Sequence, residues 1–310
     1  MPDLVAVELL AAVARTGSLG AAGRELGMSQ QAASARVRAM ESRTGIALVH
    51  RSPRGSTLTT NGALVAEWCA PLLEAAARLD AGLATIRGES RDHLSVAASQ
   101  TIAEQLLPRW LVSWTASTTA QGLTPPEVTL TATNSDGAAH AVRSGSADLG
   151  FVESPDVPSD LRSRVVAQDE LVLVTAPGRS SPPTGTVDAA TLARTPLVAR
   201  ESGSGTRLFL DAALRDALGD DVVISAPAAE MPTASGVRAA VLAGTAPAVI
   251  SRLAVADDVA MGRLVVVPLG LDLHRPLRAV WIGGTTPPAG PARDLVEHIA
   301  RHQPGHNRRL

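Results

Sequence analysis

Four polar side chains after Ser29 have the types and spacing of a surface that reads DNA bases. On an α-helix, Gln30, Gln31, Ser34 and Arg38 would fall within an arc of about 100°. Glutamine can pair with adenine through two hydrogen bonds, arginine can pair with guanine or hold a phosphate, and serine can do either. Such a face suits the major groove, although an ordinary solvated helix face carries the same residue types.

A second set of polar residues follows short apolar runs that are typical of strands. In parallel α/β sheets, ligands bind at the carboxyl ends of strands, where helix N-termini present free amides. Hydroxyls and amides there would suit a small anion, although each cluster alone is equally explained as a helix cap followed by a tight turn. The candidate binding residues are Ser99, Gln100, Thr101, Asn134, Ser135, Ser202, Gly203, Ser204, Gly205 and Thr206.

Catalytic and metal-binding signatures are weak. His298 and His302 are four residues apart beside Glu297, but no third metal ligand can be named, and a position near the C-terminus favours a solvated helix face. Neither an HExxH nor a GxSxG motif is present. Cys69 has no second cysteine to pair with and is interpreted as a packing residue. We therefore expect no enzyme activity, no metal and no cofactor.

Charge is distributed unevenly along the 310 residues. Residues 1–62 carry seven arginines and four acidic residues, a net charge of +3, so the remainder carries −5 of the total of −2. A basic head on an acidic body is typical of a small DNA-binding module joined to another domain, although solvated helices also collect arginine. Because there is neither a signal-peptide pattern nor an apolar run of about 18 residues, we expect a globular cytoplasmic protein.

Apolar periodicity and turn residues divide the N-terminal segment into three short helices. The first ends near Gly17, the second spans residues 19–26, and the third begins after Ser29 as its N-cap and ends before Gly45. Two short strands follow at residues 48–50 and 56–58, with a turn at 52–55. This pattern predicts a winged helix-turn-helix.

Residues 9–62 match a single family motif in register. The matching positions are Leu9, Val13, Ala14, Gly17, Ser18, Ala21, Ala22, Leu26, Met28, Ser29, Gln30, Ala32, Ser34, Val37, Arg38, Met40, Glu41, Gly45, Leu48, Arg51, Leu58, Thr59 and Gly62. They resemble the N-terminus of the LysR-type transcriptional regulators. The resemblance implies a winged helix-turn-helix, a long dimerising linker helix, and an effector-binding domain similar to two-lobed periplasmic binding proteins. Stretches at 94–108, 142–150 and 200–207 resemble that domain.

The resemblance also implies which residues contact DNA. Base-edge candidates are Gln30, Gln31 and Ser34, and candidates for bases or phosphates are Arg36 and Arg38. The remaining candidates are Ser29, Thr59 and, on the wing, Arg51 and Arg54, which would reach the backbone or the minor groove. Gln31 stands where the family commonly has proline and Ala35 where it has a longer polar residue, so the operator sequence cannot be borrowed from relatives.

A long helix is predicted from Thr60, taken as its N-cap, with Pro71 expected to kink it or remove one hydrogen bond. Its single apolar stripe needs a partner. In the family this partner is the same helix of a second subunit, and the alternative is packing on the chain's own effector domain. The predicted dimerisation residues are Leu64, Trp68, Leu72, Leu79 and Leu83.

The remaining chain alternates strands and helices, which predicts a parallel α/β fold. Strands are expected at 94–98, 128–133, 148–152, 171–176, 197–200, 222–225, 248–250 and 277–282, with lobe crossings at 162–167 and 266–270. The predicted divisions are a winged helix-turn-helix at 1–59, a linker helix at 60–91 and an effector domain at 92–310, with lobe I at 92–164 and 268–303 and lobe II at 165–267.

These patterns predict a sequence-specific DNA-binding transcriptional regulator controlled by a small anionic effector bound between two lobes. The alternative is a solute-binding or ligand-sensing protein without gene-specific DNA recognition. The expected partners are double-stranded DNA, the effector, further copies in a homodimer or homotetramer, and RNA polymerase if the protein is an activator. No membrane partner is expected.

Overall fold

The computed structural model describes residues 3–52, 55–87, 92–178 and 185–302. The chain divides into two compact units, Met1–Ala81 and Gly82–Leu310. Each unit has hydrophobic cores of its own. Among the described helices, none combines the length and apolar character that crossing a bilayer requires.

Three short helices build the first unit, and each begins at a capping side chain. The carboxylate of Asp3 and the hydroxyls of Ser18 and Ser29 accept hydrogen bonds from first-turn amides. Gly17 and Gly45 follow the first and third helices with φ of +64° and +69°, a region that favours glycine. The three predicted helices are confirmed as α1 (Leu4–Thr16), α2 (Leu19–Glu25) and α3 (Gln30–Thr44).

A two-stranded hairpin, the wing, follows α3. Strand β1 (Val49–Ser52) pairs antiparallel with β2 (Gly55–Leu58). One carboxylate oxygen of Glu41 in α3 accepts hydrogen bonds from the amides of Leu48 (2.8 Å) and Val49 (3.1 Å). This carboxylate therefore joins the third helix to the wing. The core beneath includes the predicted apolar side of α3, namely Ala33, Val37 and Met40.

The long helix α4 (Thr60–Arg87) continues through Pro71 as predicted, but the prediction of its N-cap is wrong. The hydroxyl oxygen of Thr59, not of Thr60, accepts a hydrogen bond from the amide of Gly62 (2.9 Å). Thr59 also donates its own proton to the carbonyl oxygen of Ala47 (2.8 Å).

Gly62 fixes how closely α4 approaches the wing. A Cβ atom built on Gly62 would lie 2.0 Å from the carbonyl oxygen of Leu48 and 2.9 Å from its carbonyl carbon. Real Cβ atoms do not approach backbone atoms so closely, so only glycine permits this contact.

In the second unit, lobe I is built on a sheet of parallel and antiparallel strands. The strand order is β4-β3-β5-β11-β6; β3 is parallel to both of its neighbours, and β11 is antiparallel to both of its own. The strands are β3 (His93–Ser99), β4 (Glu127–Thr133), β5 (Leu149–Val152), β6 (Arg162–Thr175) and β11 (His274–Trp281). The helices are α5 (Gln100–Gln105), α6 (Leu107–Ala120), α7 (Ser135–Arg143) and α12 (Pro291–Arg301).

Lobe II is built on the second half of β6, which pairs antiparallel with β9 and β10 from Leu171 onward. Strand β6 therefore belongs to both lobes. Apolar clusters cover both faces of this part of the sheet. The strands are β7 (Val198–Arg200) with β8 (Ala229–Met231) parallel to it, β9 (Ala248–Ser251) and β10 (Val265–Val267). The helices are α8 (Ala189–Arg194), α9 (Gly205–Leu218), α10 (Ala234–Leu242) and α11 (Arg252–Ala260).

The predicted strand at 222–225 is wrong. This segment belongs to no strand ladder; the amide of Val222 donates to the carbonyl oxygen of Gly219 (3.1 Å) and the amide of Ser225 to that of Ala193 (2.8 Å). The neighbour of β7 is instead β8, at 229–231. The sequence pattern also did not predict β10.

Replacing Gly62 with alanine is expected to destabilise the first unit by about 1–3 kcal/mol, because the wing backbone must move away from α4. Differential scanning calorimetry of the full chain would measure the loss. The matched control is Gly20→Ala, since the nearest atoms to a Cβ there lie 3.7 Å away, an ordinary contact distance. Equal melting temperatures for the two variants would contradict the role given to Gly62.

Candidate functional site

The polar face of α3 is accessible. Gln30, Gln31 and Arg38 are exposed and Ser34 is half-buried, while Ala33, Val37 and Met40 on the other side are buried. The helix thus divides into a packed side and a polar side in the way the sequence predicts.

Three predicted DNA contacts have other partners. A guanidinium nitrogen of Arg36 lies 2.9 Å from a carboxylate oxygen of Asp3, and helical spacing places Arg36 on the side of α3 opposite the polar face. The hydroxyls of Ser29 and Thr59 cap α3 and α4. Arg36 is therefore withdrawn as a base contact. Arg54 and the side chain of Arg51 lie outside the described residues.

Helix α4 has two different apolar sides. Val65, Ala66, Cys69 and Leu73 pack against the core of the first unit, and burial raises the pKa of the Cys69 thiol, which suits a packing role. The predicted dimerisation residues Leu64, Trp68, Leu72 and Leu79 are instead 43%, 72%, 41% and 64% exposed. The side chain of Leu83 lies outside the described residues.

The three polar clusters of the second unit border one another. The register of β3 and β4 pairs Ser99 with Thr133, the residue before Asn134. The side-chain amide nitrogen of Asn134 donates to a carboxylate oxygen of Glu201 in lobe II (3.3 Å). All three clusters therefore lie around one cleft between the lobes, which we call the effector cleft.

Glycines allow the lobes to touch. A Cβ atom built on Gly205 would lie 2.5 Å from both the Ser135 hydroxyl oxygen and the Cγ atom of Glu153 in lobe I. Gly203 has φ of +85°, and its carbonyl oxygen accepts a hydrogen bond from the amide of Asp136 (3.5 Å). The Ser135 hydroxyl itself accepts from the amide of Glu153 (3.1 Å).

Gln100 crosses the cleft in a way that the sequence did not indicate. Its side-chain amide donates to the carbonyl oxygen of Pro232 (3.0 Å) and accepts from the backbone amide of Ala234 (2.9 Å). The start of α10 therefore belongs to the cleft, and the N-cap pattern at Thr233 was its only local signal.

Two buried hydroxyls in the cleft are without a partner among the described residues, those of Ser99 and Ser204. Each serine directly precedes a helix, yet neither hydroxyl caps it. Thr101 and Thr206 are also buried, Asn134 is half-buried and Ser202 is exposed. An unpaired buried hydroxyl costs about 1–3 kcal/mol, which a hydrogen bond to a bound ligand or water would recover.

A buried ionic network lies beside the cleft. The guanidinium of Arg275 donates to Asp169 (2.7 and 2.9 Å) and to Glu153 (3.1 Å). It also donates to the hydroxyl of Thr206 (3.1 Å), while the hydroxyl of Ser251 donates to Asp169 (2.8 Å). All five residues are buried, and they come from both lobes and the strands between them.

Glu201 is held ionised at the edge of the cleft. Burial raises the pKa of its carboxyl group, but hydrogen bonds from Arg200 and Asn134 outweigh this effect, so the pKa of Glu201 is lowered. Arg200 contributes two of these bonds, both 2.8 Å.

His298 in α12 and His302 directly after it form a contact pair. The prediction that this helix face is solvated is wrong for His298. A ring nitrogen of His298 lies 2.9 Å from the hydroxyl of Ser113, its ring stacks on His302 at 4.1 Å, and it is 3% exposed. Burial is the main reason that its pKa is lowered. Among the described residues, no three histidine, cysteine or acidic side chains are grouped as a metal ion would require.

Two family models cover most of the chain. Residues 4–63 match the bacterial regulatory helix-turn-helix protein of the lysR family, and residues 87–304 match the LysR substrate binding domain. The chain belongs to the LysR family of transcriptional regulators. LysR regulators bind DNA and carry an effector-binding domain, and the family is one of regulators rather than enzymes.

Relatives are similar to this chain over nearly its whole length. The HTH-type transcriptional regulator Rv2282c of Mycobacterium tuberculosis is 54% identical over 301 residues, which are 96% of each chain. The crystal structure of CbnR, a LysR family regulator, is similar with a TM-score of 0.60 at 22% identity over 96% of this chain and 98% of that one. A cysteine variant of full-length OxyR from Pseudomonas aeruginosa has a TM-score of 0.62 at 17% identity over 96% of this chain and 94% of that one. These two structures support the fold.

Arg275→Ala is expected to lower the free energy of unfolding of the second unit by about 3–5 kcal/mol, because two buried carboxylates lose the cation that they share. Urea unfolding followed by tryptophan fluorescence would detect it, since Trp281 is buried in the lobe I core. The control is Arg252→Ala, which breaks the more exposed pair with Glu170 and should cost about 1 kcal/mol or less. Similar losses for both variants would refute the importance of the buried network.

Proposed function

We propose that α3 enters the major groove of an operator and reads it with Gln30, Gln31, Ser34 and Arg38. The support is that these side chains lie on the accessible side of a helix whose other side is packed and whose start is capped. Gln30 and Gln31 are suited to adenine, and Arg38 to guanine or a phosphate. Arg51 and Arg54 of the wing are proposed to contact the DNA backbone or minor groove.

The protein acts as a homodimer or a dimer of dimers in this proposal. The apolar stripe of α4 is more than 40% exposed at Leu64, Trp68, Leu72 and Leu79, and a second copy of the same helix would cover it. A two-fold pair presents two α3 helices to two half-sites of DNA.

The effector is proposed to be a small anion with one negative charge, bound in the effector cleft. The observation that carries this is that the hydroxyls of Ser99 and Ser204, both 1% exposed and on opposite sides of the cleft, have no partner in the part of the chain that the structure describes. One anion could accept a hydrogen bond from each. The nearby network holds two carboxylates for one guanidinium, so a dianion would meet excess negative charge.

Effector binding would regulate transcription by population shift. An effector that bonds both lobes stabilises the arrangement in which they are closed, and the change reaches the DNA through the oligomer. Because the proposed function requires access to DNA, the protein would act in the cytoplasm. An activating role would add a contact with RNA polymerase.

Arg38→Ala is expected to weaken operator binding about tenfold or more and to flatten its salt dependence, because one contact to a base or phosphate is lost. Arg36→Ala is the matched control, since it removes the same charge from the same helix but from a side chain paired with Asp3. Its affinity should change less than twofold. Gel-shift titrations on the region upstream of the protein's own gene, mapped by footprinting, measure both, and equal losses would contradict this placement of α3.

Ser99→Ala and Ser204→Ala are expected to reduce the stabilisation that a monoanionic carboxylate gives to the wild type in a thermal-shift screen. Phosphate, sulfate and sugar phosphates should stabilise the wild type less than the active carboxylate does. Ser202 was among the candidate binding residues, but its side chain is exposed and the proposal leaves it outside the site, so Ser202→Ala should respond as the wild type. A response that is unchanged in Ser99→Ala and Ser204→Ala would remove both hydroxyls from the site.

A further inference from the structure

Lobe II contains a cavity that is separate from the effector cleft. Of the predicted site residues, only Thr206 lines it. Its volume is about 250 Å³, and it lies between α9 and residues 224–227, beside β7. This segment overlaps the end of the stretch 222–225, for which a strand was predicted. Because it does not join the sheet, space remains between it and α9.

Ten of the seventeen residues that line this cavity are apolar, and the others are polar or charged. Among the apolar ones, Leu192 and Leu214 are each 1% exposed, and Leu210 and Val249 are 9% and 7% exposed. The remaining apolar residues of the lining are Leu197, Val198, Ala199, Ile224, Ala226 and Pro227. Walls of this kind favour a ligand with an apolar body, and the volume suits a compound of about one ring.

The lining of the cavity includes one carboxylate group. Asp211, on the cavity side of α9, is half-buried, and among the described residues no hydrogen-bond donor is paired with it. Burial raises the pKa of its carboxyl group and outweighs the lowering effect of Arg207 and Arg215. A donor supplied by a ligand would therefore satisfy this group.

Three arginines line the cavity: Arg200 and Arg207 are hydrogen-bonded to other groups of the protein, and Arg215 is exposed. Arg207 donates to the carbonyl oxygen of Arg200 (3.1 Å) and to the carboxylate of Glu230 (2.6 Å). Arg200 donates twice to Glu201, and Arg215 is exposed. These pairings leave little net charge to attract an ionic ligand, and Asp211 would repel an anion.

We propose that this cavity is an accessory small-molecule site that takes a neutral, largely apolar compound with one hydroxyl group, which donates a hydrogen bond to Asp211. The site differs from the effector cleft in chemistry but shares α9 with it. The first turn of α9 follows Ser204 and contributes Thr206 to the ionic network, while Leu210 and Asp211 line the cavity in the next turns. A ligand in the cavity would thus act on a helix that forms one wall of the cleft.

Benzyl alcohol is the probe for this site, titrated against the full-length protein by ligand-observed NMR. Ala226→Phe, at the cavity lining, is expected to weaken binding at least tenfold, and Ala228→Phe is its matched control, also exposed but outside the lining. Asp211→Asn should weaken binding about threefold to tenfold, as expected for a lost charge-assisted hydrogen bond. Asp216→Asn, an exposed position on the same helix, should not change it.

Two further measurements separate this site from the effector cleft. Ser204→Ala should leave benzyl alcohol binding unchanged, and benzoate, the anion of similar shape, should not displace the alcohol. Equal affinities in Ala226→Phe and Ala228→Phe would overturn the proposal. So would loss of binding in Ser204→Ala, which would place the alcohol in the cleft and leave the proposed function standing.

Discussion

The arrangement of the two lobes depends on the ion pairs and hydrogen bonds of the Arg275 guanidinium group. It is fully buried, and its hydrogen bonds reach Glu153 in lobe I, Asp169 on the shared strand β6 and Thr206 in lobe II. Removing such charges from water costs several kcal/mol per ion, and only well-formed hydrogen bonds offset that cost. Separating the lobes would break these bonds. The network therefore favours the arrangement in which the lobes are together.

The effector cleft has the opposite effect on the free energy: without a ligand, it disfavours the arrangement in which the lobes are closed. Closure leaves the hydroxyls of Ser99 and Ser204 buried and, among the described residues, without a partner, which penalises the closed state in the absence of ligand. A ligand that bonds both hydroxyls removes this penalty only when the lobes are together. That difference in free energy between the two states is what a population shift requires. In the proposed function, the ionic network and the unpaired serines are opposing contributions to one equilibrium, and Gly205 permits the close contact of the lobes because a side chain there would clash with Ser135 and Glu153.

Local sequence signals predicted the N-terminal unit well. Ser29, Gly17 and Gly45 set helix ends through bonds within a few residues, so caps and turns could be identified without knowledge of the fold. Thr59 and Thr60 were confused because both can cap, and the choice depends on Ala47 across the wing. The pairing of Arg36 with Asp3 joins positions 33 residues apart, and no periodicity indicates it.

The cleft was predicted in part for the same reason. Its loops are visible as polar clusters after apolar strands, but the network joins Arg275 to Asp169 and Glu153 across 106 and 122 residues of sequence. Charged residues inside apolar strands were the available signal. The failure at residues 222–225 has a different cause. Val222, Val223 and Ile224 have high β-propensity, but the place beside β7 is taken by β8, and strand formation depends on that partner more than on intrinsic preference.

The point at which the lobes join follows from the strands that they share. Strand β6 pairs with β11 up to Glu170 and with β9 from Leu171, so the change of partner falls beside Asp169. The ladder between β6 and β11 also has an irregularity between Leu277 and Arg278, close to Arg275. Irregular pairing is where strands bend most easily. The ionic network therefore lies beside the point where β6 changes partners, so a rotation of one lobe at that point would change the geometry of Arg275.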